Sequence, residues 1–282
     1  MLIAKTVKEL TEVLSAQREE GKTVGLVPTM GALHAGHASL VARSVKENGF
    51  TVVSVFVNPT QFNDKNDLEH YPRTLDADVA LLESLGAGCV FAPSVEEVYP
   101  EPDTRHFDYP PITTVMEGPR RPGHFNGVCQ IVSKLFLMVK PDRAYFGEKD
   151  FQQIAVIRAM VEDLKLPLEI CACPIVREES GLALSSRNSL LSAAERQLAV
   201  NISRVLFVAQ AFAKSHTPAE THDFVVDTLN ALAGLEVEYF EIVDARSLQT
   251  VTAWADAEHI QGCITVYCGD NRIRLIDNIN FK

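Results

Sequence analysis

Residues 23–57 have the sequence TVGLVPTMGALHAGHASLVARSVKENGFTVVSVFV, and their pattern predicts the architecture of the N-terminal part of the chain. The first six of these residues form a short apolar run that predicts a buried strand, and FTVVSVFV at residues 50–57 is a second, β-branched run. Between the two runs, residues 34–48 have the spacing of a helix, with Leu40, Val41, Ser44 and Val45 near one face. A strand, a helix and a strand in this order predict a βαβ unit with parallel strands.

The same alternation continues to about residue 176. It predicts helices at 74–86, 127–141 and 150–164 and strands at 89–93, 144–147 and 168–174. Two long helical stretches, at about 192–213 and 217–233, then precede strand-like runs at 237–244, 263–268 and 272–277. We therefore predict an α/β protein with a Rossmann-like, mainly parallel sheet and helices on both faces in residues 1–176. A smaller C-terminal α+β domain is predicted in residues 177–282.

One segment does not fit this alternation. Residues 101–123 contain five prolines, which is too many for a core element, and predict a long surface segment. A loop of that length in a compact domain is often functional.

Composition and charge exclude several classes of function. The formal net charge is −11, from 37 acidic and 26 basic residues. An acidic chain is poorly suited to nucleic acid or to an anionic membrane surface, because both are bound by neutralising negative charge. We expect no secretory leader at MLIAKTVKELTEVL and no membrane helix, since no apolar run reaches the roughly 18 residues that such a helix needs.

The six cysteines form no CxxC pair, but Cys171 and Cys173 lie two apart in a predicted strand and so share a face. They are either a metal or redox pair or buried, reduced thiols. The second interpretation is favoured, because it is typical of a protein in the reducing cytosol.

The most informative motif is PTMGALHAGH, at residues 28–37. It follows a predicted strand and opens a helix, and helix N-termini bind phosphate through unpaired N–H groups and the positive end of the dipole. Gly31 permits a tight turn and Gly36 a close approach of the backbone. His34 and His37 are three residues apart and share a helix face. Two imidazoles there can donate hydrogen bonds to the charge that develops on a leaving pyrophosphate.

Two other segments carry groups suited to phosphate. FGEKDFQQ, at residues 146–153, also lies where a strand turns into a helix; Lys149 is a mobile cation and Asp150 a candidate N-cap. LSSRN, at residues 184–188, combines two hydroxyls with a guanidinium. Alone, FGEKDFQQ is equally typical of a charged turn, and LSSRN is more typical of a polar loop with a helix cap. The combination of HxGH with Ser-Ser-Arg is far more specific, since it resembles the pair of motifs in the nucleotidylyl-transfer superfamily.

Other nucleotide and catalytic motifs are absent. Gly21-Lys22-Thr23 has Ala16 at the first-glycine position of a P-loop and precedes a strand instead of following one. The sequence contains no GxGxxG, GxSxG or HExxH.

Six segments together resemble one family along almost the whole chain. PTMGALHAGH, FVNPTQF, YPRTL, RPGHFNGV, FGEKDFQQ and LALSSRN match the pattern, order and spacing of the pantoate–β-alanine ligase family. The resemblance implies a Rossmann-like domain followed by a smaller domain that closes over the active site, and a cytoplasmic homodimer. It implies that ATP, (R)-pantoate and β-alanine are converted to pantothenate, AMP and pyrophosphate through a pantoyl adenylate, a step of coenzyme A biosynthesis.

The resemblance also implies which residues form the site. It implies that His37 is the catalytic histidine. From the chemistry of the side chains we assign Lys149 to the α-phosphoryl charge. The β and γ phosphates, as they leave, are assigned to His34, His37, Ser185, Ser186 and Arg187. Pantoate is bound by Gln61 and Gln153, with Gln61 also near β-alanine. Mg²⁺ accompanies ATP, and neither a metal site of the protein nor a tightly bound organic cofactor is expected. The full ATP site comprises Met30, Gly31, Ala32, Leu33, His34, Ala35, Gly36, His37, Gly147, Glu148, Lys149, Asp150, Val176, Leu184, Ser185, Ser186 and Arg187; many relatives have Met in place of Leu184.

Two alternatives share these signals. A nucleotidylyltransferase would also use HxGH and Ser-Ser-Arg, but it would keep AMP on its product. A non-catalytic ATP-binding regulator would keep the fold, but it would be expected to lack Lys149 or the histidines, and all of these are present.

Overall fold

The computed structural model describes residues 1–62 and 65–282. Contacts within the chain divide it into two compact units. The first unit comprises Met1–Thr113, Gly118–Glu148 and Gln153–Pro174; the second comprises Thr114–Glu117, Lys149–Gln152 and Ile175–Lys282. The simpler division into domains at residues 1–176 and 177–282 stays a prediction.

A six-stranded parallel sheet forms the first unit. Its strands are β1 (Leu2–Ala4), β2 (Val24–Thr29), β3 (Phe50–Val55), β4 (Cys89–Phe91), β5 (Arg143–Gly147) and β6 (Glu169–Cys173). They lie in the order β1-β4-β3-β2-β5-β6. The chain therefore builds outward from β2 in one direction and then from β5 in the other. Open α/β sheets bind ligands at such a switch point, beyond the carboxyl ends of the strands.

Helices cover both faces of this sheet. The helices up to residue 163 are α1 (Val7–Glu19), α2 (Ala35–Glu47), α3 (Lys65–His70), α4 (Leu75–Ser84), α5 (Val95–Val98), α6 (Glu117–Arg120), α7 (His124–Val139) and α8 (Phe151–Asp163). Those that pack on the sheet include α1, α2, α4, α7 and α8. Because strand side chains alternate, neighbouring residues enter different cores. Leu26 and Val52 pack with α1, α7 and α8, whereas Val27 and Val53 pack with α2 and α4. The predicted Rossmann-like sheet with helices on both faces is confirmed.

The N-terminal β1 and α1 are absent from the sequence-based prediction. The signal for α1 is nevertheless present: Thr6 caps the helix, and its hydroxyl accepts a hydrogen bond from the backbone of Glu9 at 3.2 Å. The Glu9 carboxylate reciprocates by accepting from the backbone N–H of Thr6. This T-x-x-E capping box satisfies two of the donors left unpaired at a helix start.

A small α+β fold makes up most of the second unit. It comprises α9 (Ala193–Phe212), α10 (Pro218–Asn230), β7 (Leu235–Asp244), β8 (Ile260–Cys268) and β9 (Ile273–Asn280). The strands form an antiparallel sheet in the order β7-β8-β9. A separate core that includes Leu206, Leu229, Phe240 and Ile264 joins the helices to the sheet. The predicted C-terminal α+β fold is confirmed.

The proline-rich stretch is only partly a surface segment, so that prediction is wrong in part. Phe107, Tyr109 and Ile112 pack against the core of the first unit. Met116 is 3% exposed and Glu117 is 9% exposed. The prolines break regular structure, but burial of the apolar residues between them still stabilises the fold. None of the helices in the described residues has the length and apolar character that crossing a membrane requires.

Candidate active site

The loop after β2 is held by a buried carboxylate. Asp78, on α4, accepts hydrogen bonds from the backbone N–H groups of Ala32 at 3.0 Å and Leu33 at 2.8 Å. Gly31 and Ala32 have φ values of 83° and 50°, in the left-handed region. Such backbone is strained for alanine, and the bonds to Asp78 stabilise it. The Met30–Leu33 loop thus has a fixed shape before any ligand binds.

His34 and His37 form the start of α2. The Nδ1 atom of His34 accepts from the backbone N–H of Gly36 at 3.1 Å, and Nδ1 of His37 accepts from the backbone N–H of His34 at 3.4 Å. The ring centroids are 4.1 Å apart. In a neutral imidazole, an accepting Nδ1 places the proton on Nε2. Both histidines therefore carry an Nε2–H donor at the positive end of the helix dipole.

Gln61 lies in the same edge of the sheet, in a short 3₁₀ turn after β3. Its side-chain amide donates to the sulfur of Met30 at 3.1 Å, which brings two of the sequence motifs into contact. Asn58 donates to the amide oxygen of Gln61 at 3.2 Å, and Nδ1 of His124 bonds the Gln61 carbonyl at 2.9 Å. A Cβ at Gly127 would lie 2.3 Å from the carbonyl oxygen of Thr60, so this approach requires glycine.

Gly147 ends β5, which is the neighbour of β2 at the switch point. A Cβ built there meets nothing within 4 Å, and the φ of Gly147 does not lie in the left-handed region. Neither packing nor backbone conformation therefore requires glycine at this position. Open space above a strand end at a switch point suits the close approach of a ligand.

Gln152 and Gln153 are adjacent but have different surroundings. The Gln152 amide is 5% exposed; it accepts from the backbone N–H of Glu117 at 3.0 Å and donates to the carbonyl of Val115 at 2.8 Å. Gln153 is half-buried, and its side chain makes no hydrogen bond to any residue that the structure describes. Gln152 therefore has a structural role, because its amide bonds the backbone, whereas the Gln153 amide can bind a substrate.

Lys149 belongs to the second unit, in the turn before α8. Its ammonium lies 3.3 Å from a carboxylate oxygen of Asp150, and the Lys149 side chain is 20% exposed. The Asp150 side chain is 43% exposed, so the pair is only weakly held. The ammonium can exchange this partner for a phosphoryl oxygen at little cost.

The Ser-Ser-Arg motif follows a small hairpin of the second unit, in which Arg177 pairs with Ala183. Leu184 donates its backbone N–H to the carbonyl of Val176 at 3.0 Å, which pairs two of the predicted ATP-site residues. The Ser185 hydroxyl accepts from the backbone N–H of Arg187 at 3.3 Å and begins a 3₁₀ turn, Ser186–Leu190. Asn188 is 3% exposed and donates to the carbonyl of Ala183 at 3.0 Å. The motif is therefore a structured turn, held by hydrogen bonds within the segment.

The cysteines have the properties of structural thiols. All six are buried and unpaired. Burial raises the pKa of the Cys171 thiol to about 11, and burial is also the main cause that raises the pKa of Cys173, against an opposing hydrogen bond from Arg43. A protonated, buried thiol is a poor nucleophile and metal ligand. Among the side chains of residues 1–62 and 68–282, no three His, Cys, Asp or Glu are arranged to hold a metal ion.

The parallel sheet, its switch point and the paired histidines at a helix start define a nucleotide-binding α/β enzyme. A profile of the family described as Pantoate-beta-alanine ligase matches residues 2–280. The chain belongs to the pantoate–β-alanine ligase family. The predictions of the family and of an acid–amine ligase are confirmed.

Similar proteins match over nearly their full lengths. The pantothenate synthetase of Phocaeicola vulgatus is 66% identical over 283 residues, which cover 100% of both chains. The crystal structure of pantothenate synthetase from Thermus thermophilus has a TM-score of 0.93 at 43% identity and covers 100% of this chain and 99% of that one. The pantoate–β-alanine ligase of Francisella tularensis, solved in complex with β-γ ATP and β-alanine, has a TM-score of 0.84 at 33% identity, with 100% and 98% covered.

Proposed function

We propose that this protein joins (R)-pantoate to β-alanine at the expense of ATP, through a pantoyl adenylate, and releases AMP and pyrophosphate. The single observation that carries the adenylate mechanism is the pair of imidazoles of His34 and His37 at the start of α2, whose Nδ1 atoms both accept from the backbone. Donors at a helix N-terminus suit a phosphate chain that gains charge as it leaves. The ligand complex of the Francisella tularensis relative supports the same choice of ATP and β-alanine.

In the first step, a carboxylate oxygen of pantoate bonds to the α-phosphorus. The bond from this phosphorus to the oxygen that bridges the α- and β-phosphates breaks, and pyrophosphate leaves. The carboxylate needs no general base, because its reference pKa is near 4. It needs alignment and charge neutralisation. We assign Lys149 to the α-phosphoryl oxygens, because among the described residues its ammonium has only an exposed carboxylate as ion-pair partner. His34, His37, Ser185, Ser186 and Arg187 are assigned to the departing pyrophosphate.

In the second step, β-alanine reacts as the neutral amine after its ammonium loses a proton to solvent. Its nitrogen forms a C–N bond to the activated carbonyl, the C–O bond to AMP breaks with its electrons leaving on AMP, and the nitrogen releases a second proton to solvent. The proposal assigns Gln153 to pantoate, and its amide, which bonds no residue that the structure describes, supports this role. Gln61 is assigned to pantoate and β-alanine. Its support is that Asn58, His124 and Met30 fix it at the edge of the sheet where ligands bind. Neutral amides hold hydroxyl and carboxylate groups without adding charge.

The remaining ATP contacts are assigned to the backbone and small residues around these side chains. The pre-shaped Met30–Leu33 loop and the open space at Gly147 support this assignment. The proposed set also contains Ala35, Gly36, Glu148, Asp150, Val176 and Leu184.

The working state is proposed to be a cytoplasmic homodimer that takes ATP as its Mg²⁺ complex. Mg²⁺ keeps several waters and usually binds through substrate phosphates, so it can enter with ATP. The six unpaired, buried thiols suit a reducing compartment. The homodimer rests on the resemblance to the family.

Isotope transfer tests the proposed mechanism. Pantoate labelled with ¹⁸O in its carboxylate should pass one label to AMP when β-alanine completes the reaction. Labelled pyrophosphate should exchange into ATP when pantoate is present and β-alanine is absent. Label in inorganic phosphate, or ADP as product, would indicate an acyl phosphate instead. Pyrophosphate release without free AMP when the amine is added would indicate a nucleotidylyltransferase.

A further inference from the structure

Asn278, on β9, holds the main chain of Lys149. Asn278 is 4% exposed, and its side-chain nitrogen donates to the Lys149 carbonyl at 3.1 Å. Its side-chain oxygen accepts from the amide of Gln261, on β8, at 2.7 Å. Both ends of the Asn278 amide are therefore engaged, which fixes its orientation. The contact fixes the backbone from which the Lys149 ammonium extends.

The preceding residue of β9 holds the hairpin that leads to the Ser-Ser-Arg turn. Asp277 accepts two hydrogen bonds from the guanidinium of Arg177, at 2.6 and 2.8 Å. The Asp277 side chain is 3% exposed, so this bidentate pair is shielded from solvent. Arg177 also donates to the carbonyl of Gly181, at the turn of the hairpin. The hairpin is thus anchored at its incoming strand and at its turn.

These two anchors share one rigid strand. Consecutive Cα atoms are about 3.8 Å apart across a trans peptide, and successive strand side chains point to opposite faces. Asp277 and Asn278 can therefore hold two different segments at a fixed separation. Pairing of Asn278 with Cys263 and of Asp277 with Ile264 keeps β9 in register with β8.

We propose that Asn278 is a positioning residue for adenylation, acting through the main chain of Lys149. The proposal rests on the proposed function, in which Lys149 and the Ser-Ser-Arg turn act on the same triphosphate. A displacement of about 1 Å can cost on the order of 10² in rate, so a fixed backbone at Lys149 has a direct kinetic value. Asn278 itself touches only protein atoms in this role.

The test is a double-mutant cycle on pantoate-dependent exchange of pyrophosphate into ATP. Asn278→Ala should lower the exchange rate about tenfold or more, with little change in the KM of ATP or pantoate. In a Lys149→Ala background the same change should cost less than about twofold, because the group that it positions is gone. Asn280→Ala is the matched control: Asn280 lies on the same strand and is exposed. Its side-chain nitrogen donates to the carbonyl of Lys282 at 3.1 Å and to the amide oxygen of Gln261 at 3.5 Å, so the control keeps the Asn278 contact to Lys149 while it tests the loss of a neighbouring Gln261 contact.

A second variant covers the case in which Asn278→Ala fails to fold. Asn278→Asp keeps the shape and the acceptor for Gln261 but removes the donor to the Lys149 carbonyl, and it should reproduce the kinetic loss. Equal losses from Asn278→Ala in the two backgrounds, or unchanged exchange in folded Asn278→Asp, would overturn the proposal. Absence of pantoate-dependent exchange in the wild-type protein would instead overturn the proposed function.

Discussion

The carboxylate of Asp78 accepts a hydrogen bond of 2.8 Å from the backbone N–H of Leu33. The two residues are 45 apart in sequence, yet this bond and its neighbour at Ala32 set the shape of the loop before α2. Asp78 is 2% exposed, so its charge is compensated by these N–H groups and by the hydroxyl of Thr74. A helix on one side of the sheet thus shapes the proposed phosphate-binding loop.

Replacing Asp78 should therefore affect ATP more than pantoate. Asp78→Ala removes the acceptor of two half-buried N–H groups, which costs up to about 1–3 kcal/mol each in stability. We expect a KM for ATP raised about tenfold, as the loop loses its preformed shape, and a lower midpoint of urea unfolding. Asp76→Ala is the control, because Asp76 is exposed in the first turn of the same helix. An unchanged KM for ATP in a destabilised Asp78→Ala protein would limit Asp78 to a structural role.

Lys149→Ala should lower turnover far more than stability. Within the described part of the chain, the Lys149 ammonium has only an exposed carboxylate as ion-pair partner, so little folding free energy depends on it. Loss of a preorganised contact to transition-state charge typically costs on the order of 10²–10³ in rate. Pyrophosphate exchange measures the effect, and the exposed Lys46 provides a matched Lys→Ala control. Exchange at the wild-type rate in folded Lys149→Ala would remove Lys149 from the mechanism.

Local patterns made most of the fold predictable. The apolar runs at β2 and β3 and the spacing of Leu40 and Val41 on α2 are signals that neighbouring residues determine, and all three elements occur as predicted. The order of the strands is not local, since it depends on which edges pair. The burial of Met116 and Glu117 was missed for the same reason: proline content reports backbone regularity and not tertiary contact.

The residues of the candidate site were likewise predictable only in part. His34 and Gly31 were predictable because they lie in one short motif, whose functional groups are adjacent in the sequence. Asp78 and Asn278 were not, because their partners lie 46 and 129 residues away in the sequence. Each looks from sequence like an ordinary polar residue in a helix or strand. Only the folded structure shows that they hold the backbone of proposed site residues.

Acid should destabilise the first unit through Asp103. The Arg105 guanidinium beside this carboxyl holds its pKa below the usual value, and the Asp103 side chain is 3% exposed. A lowered folded-state pKa gives stability that is present above the unfolded pKa of about 4 and is lost as pH falls through the folded value. Asp103→Asn should thus lower the unfolding free energy at pH 7, and the difference from wild type should shrink below about pH 4.

Urea unfolding at pH 7 and at acid pH measures this dependence. Glu101→Gln is the control, because Glu101 is exposed in the same segment and should show no pH-dependent difference. A stability difference between wild type and Asp103→Asn that stays constant from pH 7 to pH 3 would show that the carboxylate charge does not contribute.

The adjacent glutamines of α8 give the sharpest separation of binding from folding. Gln152→Ala leaves the buried N–H of Glu117 and the carbonyl of Val115 unpaired, at a cost of about 1–3 kcal/mol for each group. It should lower the unfolding midpoint.

Gln153→Ala removes an amide that bonds no described residue, so stability should be unchanged. If this amide holds pantoate, its loss should raise the KM for pantoate about tenfold, while the KM for ATP stays within about twofold. Steady-state kinetics with each substrate varied in turn, beside thermal unfolding of both variants, distinguishes the two roles. An unchanged KM for pantoate in Gln153→Ala, or a loss confined to ATP, would place pantoate elsewhere on the sheet edge.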